Sequence, residues 1–229
     1  MAYLTASEIE HRYCETMGLN LGPVFYSLFN ELAWLNIKWR QYTQLFSTSS
    51  SRLELINSTA SFFFYMVEIV VWEDVLLHIA KLTDKEKSCG HDNLSICHLH
   101  KLLDDAELTA KTIKLIDIAR DKSAFARDWR NRKIAHFDLK LMTTEQSAIP
   151  LEPAGRNNID KALDAIAAVL NTIELHYCKC TTGFDFHFKK GDAESLLFIL
   201  RDGLEAQTTR LRRLNDGKPI ESDLDNRGI

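Results

Sequence analysis

Proline is scarce in this chain, with 4 in 229 residues, and the 9 glycines fall mainly between long periodic segments. No run alternates apolar and polar residues between hairpin signals, which excludes a β-sandwich or barrel and leaves an all-helical chain. Cysteine is sparse as well. Cys14, Cys89, Cys97, Cys178 and Cys180 are an odd number at no scaffold spacing, so a disulfide-stapled domain is excluded and a reducing, cytoplasmic compartment is expected. Residues 1–8 lack the basic start and apolar centre of a secretory signal, so no export is expected. A long uninterrupted apolar run is missing too. Residues 60–80 are rich in Phe, Val and Leu, but Glu68, Glu73, Asp74 and His78 interrupt them, so the stretch reads as a buried core helix and no membrane association is expected. Finally, there is no excess of positive charge. A net charge of -4 excludes coating nucleic acid by global charge and confines any polyanion contact to a local patch.

What is present is periodicity. With 45% hydrophobic residues the chain can bury a full core. The spacing predicts helices near 7–17, 23–46, 52–82, 94–104, 107–137, 158–180 and 193–214. Gly18 ends the first, Pro23 occupies the first turn of the second, and Asn93 caps the fourth. A polar loop with Pro150, Pro153 and Gly155 follows the fifth. No repeat or linker divides the sequence. Residues 1–215 therefore read as one all-α domain, an up-and-down helical bundle with additional helices at both termini, and 216–229 as a flexible C-terminal tail.

The chemistry-bearing stretch is Arg130-Asn131-Arg132-Lys133-Ile134-Ala135-His136. Arginine presents a rigid fork of donors that matches phosphate oxygens, and histidine titrates near neutral pH and can move protons. Six basic residues, Arg120, Lys122, Arg127, Arg130, Arg132 and Lys133, face two acids, Asp121 and Asp128, in the same segment. The bland counterpart is a solvated helix face. On a regular helix Leu115, Ile118, Phe125, Trp129 and His136 form one stripe, and Ile116, Ala119, Ala126, Arg130, Ile134 and Phe137 an adjoining one. Arg130 and His136 would then lie about 120° apart, on opposite borders of the apolar face. Such a helix does not form the site alone; a composite cleft or a distorted helix end is required.

Arg-Asn followed by His136, together with Trp72-Glu73-Asp74-Val75-Leu76-Leu77, Lys81-Leu82-Thr83-Asp84 and Asn93-Leu94-Ser95, resembles the abortive-infection U branch of the HEPN superfamily. That superfamily is named for nucleotide binding in higher eukaryotes and prokaryotes. The resemblance implies a HEPN-like bundle and a metal-independent ribonuclease of a phage-defence or toxin-antitoxin system. It also implies a homodimer whose paired motifs line one cleft, RNA as substrate, no cofactor, and an antitoxin or nucleotidyltransferase as a further partner. Arg130, Asn131 and His136 are then the catalytic candidates, and Arg132, Lys133 and Arg127 the candidates for holding the strand. Some HEPN toxins carry, two positions past the histidine, a tyrosine to which a partner attaches a nucleotide. Here Asp138 stands there, which puts control by that modification in doubt.

Other residues weigh less. Glu68, within an apolar run, needs a partner: an ion pair with Lys or Arg by default, or a contact orienting Arg130 or Arg132. Cys89, His91, Cys97, His98 and His100 lack a Cys-x-x-Cys knuckle, and Cys178-Lys179-Cys180 points its thiols apart, so no metal is expected. Arg210, Arg212 and Arg213 read as complements to a helix dipole, and Phe25, Phe29, Trp34 and Trp39 as core. The rival function, from another class, is a noncatalytic module that binds a nucleotide or a partner protein. A purely structural bundle, in which His136 is only a buried histidine at a helix end, is the third reading.

Overall fold

Gly18 decides how the chain begins. In the computed structural model, which describes residues 5–47, 49–88, 90–185 and 190–224, its φ of 83° breaks α1 (Ala6–Phe46) into two helical stretches, 6–17 and 19–46. Glycine alone adopts that backbone region without steric cost. Pro23 then sits in the first turns of the second stretch, where a missing N–H is tolerated. The two stretches meet backbone to backbone at Gly22. A Cβ there would lie 2.6 Å from Cys14 Cα and 2.8 Å from the Tyr13 carbonyl oxygen.

Two compact units make up the chain. The first comprises Met1–Trp39 and Trp72–Phe186, the second Arg40–Val71 and His187–Ile229. In the first, Leu21, Phe25, Leu28, Leu32 and Leu35 recur every three or four residues along α1, and all are fully buried. Val75, Leu76, Ile79 and Ala80 of α2 (Ser50–Leu82) supply a second apolar line. Ile159, Ala162, Ile166, Val169, Leu170 and Ile173 of α6 (Arg156–Cys178) supply a third, and α3 (Ala106–Lys122) packs against α6. Burying each such Leu or Ile contributes roughly 1.5–3 kcal/mol, so this spacing is what closes the bundle. Trp34 departs from the expectation. Near-helical spacing assigns it to the core, but it is exposed, while Phe25 and Trp39 are buried as expected.

Between α2 and α3 the chain makes a two-residue hairpin, β1 (Lys87–Ser88) and β2 (His91–Asp92), turning at Gly90 with φ of 84°. The α-helix expected near 94–104 is instead a 3₁₀ helix, Ile96–Lys101. Residues three apart eclipse in that geometry, which sends Ile96 and Leu99 together into the core. Ser95, not Asn93, precedes it. The Asn93 amide donates to the Lys85 carbonyl at 2.8 Å and the Ser88 hydroxyl at 3.0 Å, closing the hairpin.

In the second unit Leu45, Ile56, Phe64, Ala193 and Leu197 form the core. Its α7 (Ala193–Asn215) starts at Asp192, whose carboxylate accepts from Ser195 N, while Gln41 Oε1 accepts from Ala193 N at 2.6 Å. Ala60, at φ -154° and ψ 62°, breaks α2. Beyond it Phe62, Phe63, Tyr65, Met66, Ile69 and Val70 stand exposed, so the expected buried helix over 60–80 is buried only in part. The segment is apolar on two sides, and only the Phe64 side is covered. The tail expected from Asp216 holds a short helix, α8 (Glu221–Leu224). Its Asp223 is buried, with its carboxylate held by Arg213 at 2.7 and 2.5 Å and its carbonyl by Arg210. Arg210 and Arg213 thus serve this clamp rather than the helix dipole alone. Among the described residues no helix is long and apolar enough to cross a membrane.

Two outcomes follow. Gly22→Ala forces the two stretches of α1 apart and should cost about 1–3 kcal/mol, read as a lower urea midpoint. The Asp223 carboxyl is held down to about 2, chiefly by the Arg213 hydrogen bonds. Its folded pKa therefore lies below the unfolded value of about 3.9, and its stabilisation is present above that value and lost as pH falls toward 2. The stability gap between the parent and Asp223→Asn, measured by urea unfolding, should narrow across that interval.

Candidate functional site

Asp105 opens the segment that carries the motif, its carboxylate capping α3 through Leu108 N at 2.6 Å. Leu108, Thr112, Ile116 and Ala119 then bury one line of side chains, Ser123 and Ala126 continue it, and Phe125 of the other stripe is buried as well. The buried face thus follows the Ile116 stripe; Ile118, on the other stripe, is half exposed. The single regular helix expected over 107–137 does not form. Ser123 (φ -102°, ψ 7°) separates α3 from α4 (Ala124–Trp129), and Arg130–Ile134 is a π-turn closed by Ala135 N donating to the Arg130 carbonyl at 2.8 Å. Such widened turns recur at functional sites. The 120° offset reckoned for a regular helix does not hold across this turn, so the motif is presented by a distorted helix end.

Arg132 anchors the turn. It donates to Asp128 at 3.4 Å, Asp138 at 3.3 Å and the carbonyls of Ile149 and Pro150 at 2.5 and 3.4 Å. The same loop is held twice more: Asp128 accepts from Glu152 N at 2.9 Å, and Trp129 Nε1 donates to the Glu152 carbonyl at 2.9 Å. Trp129 packs edge-on against Trp72 at 6.3 Å, and Trp72 lies 6.2 Å from Trp39. Lys133 Nζ sits 4.8 Å above the Trp129 ring, a cation–π contact. Asp138 caps α5 (Leu139–Met142), and its carboxyl is lowered first by the Leu141 N–H and then by Arg132.

The end of α2 meets this segment with two side chains. Thr83 Oγ1 accepts from Arg127 Nη1 at 3.1 Å, and the neighbouring Asp84 carboxylate takes Arg130 Nη1 in an ion pair. Arg127 Nη2 also donates to the Arg120 carbonyl. Burial, then the nearby Arg120 charge, pushes the Arg127 pKa down, while Asp84 opposes that shift. Arg130 Nε donates to Asn131 Oδ1 at 2.9 Å. Arg130, Asn131 and Asp84 are therefore one hydrogen-bonded set. His136 stands apart: it is exposed, and no hydrogen bond or ion pair engages it among the described residues. Arg127, Arg132 and Lys133, expected to hold a nucleic-acid strand, are each occupied inside the protein.

Sequence reasoning missed the role of Asp84. One signal was available: it follows Lys81 at the C-terminal end of α2, where the helix dipole disfavours an acid that has no cationic partner. The carboxylate on Arg130 is Asp84, and Glu68 lies in the second unit. Its contact is the Tyr42 phenol, whose pKa is pushed up to about 12 by burial first and then by the Glu68 charge and hydrogen bond. Asp74 pairs with Lys38. Cys89 lies outside the described residues. Cys97 is buried with its thiol raised by burial, its carbonyl lies 2.9 Å from His100 Nδ1, and His91 is exposed. Among the described residues no three His, Cys, Asp or Glu side chains converge to hold a metal ion.

A family model for the HEPN domain of AbiU2 matches residues 19–196, a span that includes the motif and all three upstream runs. No curated protein and no solved structure matches the chain. Arg127→Ala leaves Thr83 and the Arg120 carbonyl without their charged donor. It should destabilise the protein by about 1.5–3 kcal/mol in chemical unfolding.

Proposed function

The chain belongs to the AbiU2 family of HEPN-domain proteins, and from that premise we propose that it is a metal-independent endoribonuclease of a phage-defence or toxin-antitoxin system. The observation that carries the reading is the contrast at the widened turn. Arg130 is held by Asp84 and Asn131, and the one titratable imidazole of the motif, His136, is left exposed and uncommitted.

In this reading the substrate's 2′-hydroxyl attacks the adjacent phosphorus. His136 accepts the hydroxyl proton, the P–O5′ bond breaks, and the departing 5′-oxygen takes a proton from solvent water, leaving a 2′,3′-cyclic phosphate. General base catalysis of this kind contributes roughly 10²–10⁴-fold. Arg130 stabilises the charge that builds on the phosphorane. Its Nε and Nη1 are engaged by Asn131 and Asp84, which fixes the plane of the guanidinium, and Nη2 has no protein acceptor among the described residues. A donor held in place before the substrate arrives needs little reorganisation in the transition state. Asn131 acts here on the arginine. Should an antitoxin or nucleotidyltransferase control the enzyme, Asp138 offers no phenol for modification, because it is a carboxylate committed to Leu141 N and Arg132.

The noncatalytic reading, a nucleotide- or partner-binding module, is favoured by one feature: no side chain fixes the His136 tautomer among the described residues. The two readings separate in one assay. Purified protein incubated with RNA in excess chelator should yield 2′,3′-cyclic phosphate ends, and a 2′-deoxy substitution at the cut site should block cleavage. His136→Ala and Arg130→Ala should each lower the rate at least ~100-fold. Unchanged cleavage in either variant removes that residue from the mechanism; binding without consumption of RNA selects the module.

A further inference from the structure

Six basic residues crowd the motif segment, and five of them have partners. Arg130 is held by Asp84, Arg132 by Asp128 and Asp138, Lys122 lies beside Asp121, Lys133 lies on the Trp129 ring, and Arg127 donates to the Thr83 hydroxyl and the Arg120 carbonyl. Arg120 is the exception. Its side chain makes no hydrogen bond or ion pair among the described residues, and its Nε is shut off from solvent without an acceptor. Arg127 is little better compensated: both its acceptors are neutral, and burial, then the Arg120 charge, lowers its pKa. Arg120, Arg127 and Glu86 all act on the buried Cys97 thiol, but Glu86 is taken by Lys101 and His100, and Asp84 by Arg130. Two partly buried guanidiniums are thus left without a carboxylate of their own. Charge in that setting is costly unless an anion meets it, and a sealed donor without a partner marks a place that a ligand or ion completes.

We propose that Arg120, backed by the charge of Arg127, is a second phosphate subsite, separate from Arg130 and His136, and that it holds an RNA phosphate flanking the one that is cut. The assignment of the strand rests on the nuclease reading; the subsite does not. Position selects the anion. Arg130 and Arg127 take the adjacent residues Asp84 and Thr83, and Arg127 in turn bonds the Arg120 backbone, so the three arginines follow one another along one side of the segment. At the helical rise of about 1.5 Å per residue, Arg120 and Arg130 stand roughly 15 Å apart along the chain, more than one phosphate spans. A ligand with charges repeated along a strand meets both; a lone small anion meets one. The chemistry fits as well. Arg127 has both terminal nitrogens engaged and contributes charge, whereas the two terminal nitrogens of Arg120 have no protein acceptor among the described residues and match two phosphate oxygens in the bidentate geometry that a guanidinium favours.

Fluorescence anisotropy with a labelled 2′-O-methyl oligonucleotide, which lacks the attacking hydroxyl, reads binding by the full chain without cleavage. Arg120→Gln should raise Kd about 10-fold, the loss of one charge-assisted contact, and lower the slope of log Kd against log salt by about one. Lys114→Gln removes the same charge from an exposed position of α3 and should change neither. Replacing one phosphate at a time by an uncharged methylphosphonate should then find a position, other than the cut site, whose neutralisation costs the parent about 10-fold and costs Arg120→Gln nothing further. A merely structural role for Arg120 would not produce that coupling. Absence of any coupled position, an unchanged Kd and salt slope in Arg120→Gln, or an equal effect of Lys114→Gln would each overturn the proposal. So would inorganic phosphate binding, by titration calorimetry, that is lost in Arg120→Gln while no oligonucleotide position is coupled, since the site would then take a free phosphate. Coupled binding by a protein that cuts no RNA would leave the subsite standing and remove the nuclease reading; cleavage without coupling would do the reverse.

Discussion

The motif depends on the contact between the end of α2 and the arginines that face it. Thr83 and Asp84 are adjacent in sequence, and Arg127 and Arg130 are three apart, so two neighbouring acceptors meet two guanidiniums on one side of a helix end. The pair is partly exposed, with about a quarter of each Arg130 and Asp84 side chain reached by solvent. Ion pairs in that setting add little to stability. What this one supplies is orientation. With Nη1 on Asp84 and Nε on Asn131, the guanidinium loses most of its rotational freedom, and on the proposed reading less of that cost falls on the reaction.

The π-turn is the second constraint, and its anchors reach beyond the motif. Arg132 is drawn toward Asp128, Asp138 and two carbonyls of the 149–150 loop, while Trp129 is fixed by Glu152 and Trp72. The backbone widens between these two anchors. His136 comes after the widened turn, beyond the last anchored residue of the helix.

Much of this was legible in the sequence. Gly18, Pro23 and the regular recurrence of Leu21, Phe25, Leu28, Leu32 and Leu35 mark helix ends and a buried face by local rules, and the structure follows them. The all-helical class and the HEPN resemblance, read from Arg130 to His136 and the upstream runs, agree with the family match over 19–196. The misses share a cause. Whether Glu68 finds a cation or a phenol, and whether Phe62 is covered, depend on partners distant in sequence. Periodicity carries no information about them. Ser123 and the π-turn were hidden for the same reason: propensity favours an unbroken helix there, and tertiary hydrogen bonds override it.

The charge of the motif segment looks different once its partners are known. Of its six basic residues, Arg130 is balanced by Asp84, Arg132 by Asp128 and Asp138, and Lys122 lies beside Asp121; Arg127 is half-buried, and Lys133 lies on an indole. The apparent basic patch is largely an internal scaffold. A polyanion drawn by bulk charge would release many counterions and bind with a steep salt dependence. A phosphate met by one pre-oriented guanidinium and one free imidazole is recognised by geometry, with few ionic contacts. An overall charge of -4 is compatible with the second arrangement and not with the first. On the proposed nuclease reading, phosphates are brought to such a site by shape or by a second protein surface, and selectivity for one RNA comes from outside the seven residues of the motif.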